Sequence, residues 1–478
     1  MRLVWVVIPL ILIGTIGMQE SFAQESEFIT SPKHQLESGI APEDITCRDN
    51  RVLVLRTNGN PACVKETTSE KLGWKIIKHD SSVIEIKPKS NQDLISNDLL
   101  DSDNIIDANN QFAIDFYSQV SQESDDNIFF SPWSVMTAFA IAHEGAKGNT
   151  AEQMQNVFGF SSNETQRQNE FKSVNDELNQ KDSSYKLQVA NGLWLANFFE
   201  PLKEYVDVAK NYYDSEVSIV DFVGNEGIDT INSWVSEKTN DKIKDILKPG
   251  STNADTRLVI TNAIYFKGTW ITQFDEENTS EQNFTVDSDT ITKTPMMNLY
   301  QTQQVYGETD EIKILELPYE GDKLSMLLLL PKEIDGMDDL ENSLTVENLK
   351  QWGESLSIHD VRTVSIPKFE LETDYNLISP LQNLGLSDAF DENKADFSGI
   401  TTSESLFIAF ALHKAYVDVN EEGTEAAAVT AIGIGTTSVD PNPPPVFTFV
   451  ADHPFIFVIQ DNETGHILFI GKMTNPSE

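Results

Sequence analysis

The stretch from Asn420 to Phe449 carries two conflicting backbone signals, and the rest of the chain has to accommodate both. From Thr424 onward every second residue is small or apolar and uncharged: Thr424, Ala426, Ala428, Thr430, Ile432, Ile434 and Thr436. That is the period of a strand with one face turned inward. The opposite face holds Glu425, Ala427, Val429, Ala431, Gly433 and Gly435, and no proline occurs before Pro441. Yet the Gly, Thr and Ser content and the exit through Pro441, Pro443, Pro444 and Pro445 describe an exposed loop. A fold that satisfies both signals must hold this segment as a loop in one state and as a strand in another.

The remainder reads as α+β. Phe112, Phe116, Tyr117 and Val120 recur at helical spacing, and Ser131 before Pro132 marks a helix start leading into Met136 to Ala142. Thr150 is expected to cap a helix carrying Met154, Val157 and Phe158, and a later helix is expected through Ile231, Trp234, Val235 and Ile243 to Pro249. Strand-length apolar runs dominate afterwards: Tyr185 to Ala196, Leu258 to Phe266, Ile312 to Pro318, Leu324 to Leu330, Val361 to Glu370, Leu406 to Val419, Phe455 to Ile459 and Ile467 to Ile470. Helices come mostly first and strands mostly later, which is the α+β order.

Before this region the chain changes character twice. Residues 1–23 carry Arg2, an apolar run from Leu3 to Met18 and then Ser21-Phe22-Ala23, the pattern of a secretory signal. Residues 24–80 read as a small module around a strand at Val52 to Leu55 and a turn at Asn58-Gly59-Asn60-Pro61. In an exported chain its two cysteines, Cys47 and Cys63, most simply form one disulfide. Residues 81–107 are polar and acidic and read as a linker to a main domain over 108–478. Lys plus Arg number 34 against 76 Asp plus Glu, a net charge of -42, which argues against nucleic acid as partner because phosphate binding needs clustered cations. The expectation is a secreted monomer, free of the membrane once the signal is cleaved. Asn163, Asn278, Asn283 and Asn462 each begin a glycosylation sequon.

No Gly-x-Ser-x-Gly, His-Glu-x-x-His or Cys-x-x-Cys pattern occurs, so neither hydrolase chemistry nor a metal or other cofactor is expected. The pieces that do stand out are Phe130-Ser131-Pro132-Trp133-Ser134-Val135, Gly145 to Thr150, Asn262 to Trp270, Pro295-Met296-Met297, Leu317-Pro318-Tyr319 and Leu324-Ser325-Met326. They continue with Ile366-Pro367-Lys368-Phe369, Leu412-His413-Lys414-Ala415, Glu421 to Ala428, Ala451 to Phe455 and Gly471-Lys472-Met473. In this order and spacing over residues 108 to 474 they resemble the serpins, the serine protease inhibitor superfamily.

The resemblance implies a fold of three sheets and eight or nine helices, with the opening stretch as an exposed reactive-centre loop. It implies a suicide-substrate mechanism in which a serine protease attacks the loop and is carried away covalently when the loop inserts into the main sheet. By the family's spacing the scissile bond is Thr437-Ser438, although the long loop leaves Ile434-Gly435 and Val439-Asp440 open. A small uncharged residue before the bond points to elastase-like or subtilisin-like proteases rather than trypsin-like ones, whose pocket carries an Asp. The hinge would be Glu421, Glu422, Gly423, Thr424, Glu425, Ala426, Ala427 and Ala428. Trp270, Lys368 and Glu421 match the region where the loop first enters, the breach. Ser131, Ser134, Asn262 and His413 match the polar cluster beneath it, the shutter. The alternative is a non-inhibitory member serving as carrier or structural protein.

Overall fold

The computed structural model describes residues 45, 52–55, 61–64, 75–77, 104–178, 185–402, 405–424 and 446–477. The chain divides into two units between Ser96 and Asn97. In the first, β1 (Val52–Leu55) is flanked by antiparallel β2 (Pro61–Val64) and β3 (Lys75–Ile77), with Val52 opposite Val64 and Leu53 opposite Ile77. Leu53, Val54 and Ile45 are buried. Cys47 and the side chain of Cys63 lie outside the described residues, as do the signal segment and most of the linker.

The second unit opens on α1 (Ile105–Glu123), capped by the Asn104 side chain, followed by β4 (Ile128–Phe130) and α2 (Pro132–Gly145). Ser131 caps α2 as its sequence predicts: its hydroxyl accepts from the Ser134 amide at 3.2 Å, and Pro132 occupies the first turn, where a missing N–H costs nothing. Nearly every residue of α2 is buried, so it is a core helix rather than an amphipathic surface one. It packs on α1 and on three strands introduced below, β5, β7 and β18. Next come α3 (Gly148–Phe158), α4 (Glu164–Leu178), α5 (Lys203–Tyr213), α6 (Glu226–Lys238), α7 (Met337–Ser343), α8 (Val346–Glu354) and α9 (Ile378–Asn383).

Two helix ends differ from the sequence expectation. Thr150 is not a cap: α3 starts two residues earlier, and the Thr150 hydroxyl is turned inward to accept from the Asp396 amide at 3.0 Å. The helix expected to run through Ile243 to Pro249 stops at Lys238, because Asn240 and Asp241 take positive φ values of 52° and 62°. A left-handed pair cannot continue a right-handed helix.

A six-stranded sheet has the order β13 (Phe369–Asn376), β14 (Ile408–Asn420), β15 (Gly423–Thr424), β7 (Leu258–Thr269), β5 (Tyr185–Ala196), β6 (Glu216–Val220). A nine-stranded sheet runs β16 (Phe447–Val450), β12 (Ser357–Pro367), β9 (Ile291–Glu308), β10 (Ile312–Pro318), β11 (Leu324–Pro331), β17 (Phe455–Asp461), β18 (Ile467–Met473), β4, with β8 (Ser280–Thr285) paired to β9. All eight residues of β11 are buried, as its unbroken apolar run requires of a central strand.

Three sheets were implied for this unit, and its described residues form two. The reason is β9, whose 18 residues pair with β8 and β12 along most of their length and with β10 at their end, so one ladder runs through what would otherwise be two sheets. The expected run Val361 to Glu370 is likewise two strands: β12 and β13 belong to different sheets, and the chain crosses between them at Lys368.

Candidate functional site

The six-stranded sheet has a seam. β14 and β7 are parallel neighbours from Ile408 opposite Leu258 to Tyr416 opposite Tyr265, and beyond that pair they part. Into the gap comes β15, antiparallel to both: Thr424 stands opposite Val419 on one side and Gly268 on the other, Gly423 opposite Asn420 and Thr269. Only glycine fits at 423. Its φ is 154°, and an added Cβ would lie 2.1 Å from the Gly268 carbonyl oxygen.

The turn leading into β15 is held at three successive backbone carbonyls. Trp270 donates its indole N–H to the Asn420 carbonyl at 3.1 Å and its amide to the Glu422 carbonyl at 3.0 Å, and the Phe274 amide donates to the Glu421 carbonyl at 2.8 Å. The Glu421 carboxylate accepts from Lys368 and from the Thr279 hydroxyl, both at 2.8 Å. Burial alone would raise its pKa, but these hydrogen bonds and one from backbone outweigh it and hold the carboxyl below its ordinary range. Trp270, Lys368 and Glu421, matched to one region by sequence, are therefore brought into one site. Thr424 is fully buried at its inner edge, its hydroxyl 2.9 Å from that of Tyr319, whose ring stacks on Trp270 at 4.5 Å.

Beneath this entry point lies a row of polar side chains at one level of the sheet. Tyr375 is opposite His413, His413 opposite Asn262, and Asn262 opposite Asn191, on β13, β14, β7 and β5 in turn. His413 is completely buried, and burial pushes its pKa down to about 3, so it is neutral. Both ring nitrogens are committed: Nε2 accepts from the Ser131 amide at 3.2 Å, and Nδ1–H donates to Asn262 Oδ1. Asn262 Nδ2 donates in turn to the Ser134 carbonyl at 3.0 Å and to Asn191 Oδ1. The four predicted shutter residues thus form one network that plugs the N-terminus of α2 into the seam. Because His413 and Asn262 sit on the two strands that flank the seam, parting those strands breaks the bond between them.

Sequence reading missed two members of this site. Asn191 is one of two side-chain amides, with Gln188, in a strand otherwise rich in apolar residues, and its polarity there is a signal available in the sequence. Tyr319 stands in the sequence only as part of the Leu317-Pro318-Tyr319 motif, and its role depends on a contact with Thr424, 105 residues away. Of the remaining predicted residues, Glu425, Ala426, Ala427, Ala428, Thr437 and Ser438 lie outside the described residues. Among the described residues no group of three or more His, Cys, Asp or Glu is placed to hold a metal ion.

The family model for serpins, described as serine protease inhibitor, matches residues 107–476. The chain belongs to the serpin family. A serpin-like protein from Methanosarcina acetivorans is 43% identical over 381 residues, covering 79% of this chain and 88% of the relative. A human leukocyte elastase inhibitor is 39% identical over 381 residues, 77% of this chain and 98% of its own. Among solved structures, a highly specific serpin of the insect Tenebrio molitor aligns with a TM-score of 0.70 at 31% identity, covering 78% of this chain and 99% of that one. Human thyroxine-binding globulin complexed with thyroxine aligns at 0.72 and 29%, with the same coverage. In this serpin, then, the conflict in the loop sequence meets a physical counterpart: β15 is the start of that stretch, already seated as a strand.

Proposed function

We propose that this serpin is a serine protease inhibitor that acts as a suicide substrate. The observation that carries the reading is β15, two residues of the loop segment hydrogen-bonded to both strands of a seam that continues beneath them. A protease serine would attack the Thr437 carbonyl, form an acyl-enzyme and release Ser438 as the new amino terminus. The freed segment would then continue β15 down the seam between β14 and β7.

The register supports this. Carried on one residue at a time from Thr424, Ala427 would come between Tyr416 and Tyr265, Gly433 would face Phe410, and Ile434 would face Leu258, where β7 begins. The slot therefore ends within two residues of Thr436. Thr424 points to the buried side against Tyr319, so Ala426, Ala428, Thr430, Ile432, Ile434 and Thr436 would follow it inward, all uncharged. If roughly fifteen new backbone hydrogen bonds form at a net ~1 kcal/mol each, insertion gains on the order of 10 to 15 kcal/mol before ordering costs.

The small uncharged Thr437 and the likeness to a leukocyte elastase inhibitor favour elastase-like or subtilisin-like targets. To the same reading we assign export by residues 1–23, a Cys47–Cys63 cross-link in a module over 24–80, a linker at 81–107, an inhibitory domain over 108–478, a monomeric state before complex formation, and the loop as a distinct exposed element. Incubation with pancreatic elastase and subtilisin tests it. A covalent adduct that survives denaturing electrophoresis is expected, with mass spectrometry of the released C-terminal peptide placing the bond at Thr437-Ser438. Cleaved loop without adduct from either enzyme would leave a carrier or structural role in its place.

A further inference from the structure

The last direct pair of the seam, Tyr416 opposite Tyr265, is covered by a cation. Lys242 Nζ lies 5.1 Å from the centre of the Tyr416 ring and 5.8 Å from that of Tyr265, and the two rings are 6.0 Å apart. One side chain thus contacts both strands that must separate, at the level just below β15. Both tyrosines are buried and Lys242 half-buried, so the ammonium is partly withdrawn from water, where attraction to aromatic faces is strongest.

The turn that delivers Lys242 is strained and over-determined. Asn240 and Asp241 hold left-handed backbone, with φ of 52° and 62°, which side-chain-bearing residues adopt only at a cost. The Asp241 amide donates to the Ser236 carbonyl at 2.8 Å, and the Ser236 hydroxyl to Asp241 Oδ1 at 2.8 Å. The fully buried Thr239 donates its hydroxyl to the Val235 carbonyl at 2.8 Å and accepts from the Ile243 amide at 3.1 Å. Helix α6, which precedes the turn, is docked on β5 by Trp234 edge-on to Trp194 at 5.2 Å. Ending the helix at Lys238 and reversing the backbone brings Lys242 over β7 and β14 instead of leaving it on a helical surface.

We propose that Lys242 is a positioning residue for loop insertion: it staples β14 to β7 through Tyr416 and Tyr265 and sets the rate at which those strands part. This rests on the insertion mechanism proposed above. Neighbouring strands are about 4.8 Å apart, so a strand inserted between them doubles the separation of the two tyrosines and leaves the ammonium able to hold one ring at most. The staple therefore belongs to the uncleaved form alone.

The test uses Lys242→Met, which keeps the apolar stem, and Lys242→Arg, which keeps the cation. Uncleaved protein is mixed with a synthetic acetylated peptide of the sequence 425–436, which continues the seam below the seated Thr424, and its uptake is followed by native electrophoresis and mass spectrometry. K242M is expected to take up the peptide faster than wild type, roughly twofold to thirtyfold from the usual strength of such contacts, and K242R at the wild-type rate. Uncleaved K242M should unfold at lower denaturant than wild type, while the loop-cleaved forms of all three unfold together. Wild-type uptake matched by K242M at the same rate overturns the staple and leaves insertion standing. K242R behaving like K242M, or cleaved K242M destabilised as much as uncleaved, also overturns it. No uptake and no protease adduct with the wild type would overturn insertion itself, and the staple with it.

Discussion

Thr424 and Tyr319 share a 2.9 Å hydrogen bond inside the sheet, with both residues fully buried. This contact joins the loop segment to the nine-stranded sheet through the residue that follows β10. It also fixes which face of the segment points inward, and so which of its residues must be uncharged. Burial pushes the Tyr319 hydroxyl well above its ordinary pKa, so it stays neutral at any working pH.

Tyr319→Phe removes one partner and leaves the Thr424 hydroxyl buried without it. The uncleaved protein should lose about 1 kcal/mol of stability in chemical denaturation, the usual net value of such a bond. Thr424→Arg is the severe version, since a guanidinium cannot occupy that site unpaired. It should convert inhibitor to substrate, with the protease cleaving the loop and leaving as free enzyme on the gel. An undiminished adduct yield in T424R would count against entry through this site.

Gly423→Ala should expel β15 without unfolding the sheet below it. The added Cβ would collide with the Gly268 carbonyl, and φ of 154° is closed to alanine, a cost of about 1–3 kcal/mol for the strained backbone alone. Hydrogen exchange measured by mass spectrometry should quicken at residues 266–270 and 418–424. The lower part of β7 and β14 should keep its protection, and uniform loss across the sheet would refute the local account.

Acid should weaken the fold between pH 6.5 and about 3. His413 and His143 are held at about 3 and His466 at about 4 by burial, with Arg167 and Lys147 adding to the effect at His143 and Asp461 opposing it at His466. Each binds a proton when unfolded that it refuses when folded, so its stabilisation is complete above pH 6.5 and fades as pH falls, by about 1.4 kcal/mol per pH unit. Asp115, raised to about 6 by burial against a hydrogen bond from Gln111, runs the other way and offsets one of the three between pH 6 and 4. His143→Gln, which leaves the shutter network untouched, should lower the slope of unfolding free energy against pH by about 1.4 kcal/mol per unit in that window. An unchanged slope would mean that His143 is not buried neutral.

Much of this was legible from residues alone because it is local. Ser131 and Pro132 announced the start of α2, the unbroken run of β11 announced a central strand, and the Thr424 alternation announced a face fit for burial. The shutter and breach residues became legible only through the family resemblance. Asn191 was legible only as a polar residue in an apolar strand, and the roles of Asn191, Tyr319 and Lys242 were not legible: each acts across a register or a contact that a single sequence does not contain. The same holds for the helix expected to run through Ile243 to Pro249, where hydrophobic spacing continued but the turn bonds of Ser236 and Thr239 stopped the helix at Lys238. Two sheets rather than the expected three are traced among the described residues of this unit, because one strand long enough to join two ladders has the same alternation as two shorter ones.

The central claim is that the loop segment becomes a strand between β14 and β7. The most direct measurement is the separation of Tyr265 and Tyr416 in a crystal structure of the serpin after loop cleavage. The account predicts Ala427 between them and their Cα atoms about 10 Å apart, two strand spacings in place of one. Finding Tyr416 still directly paired with Tyr265, with the cleaved segment outside the sheet, would contradict it.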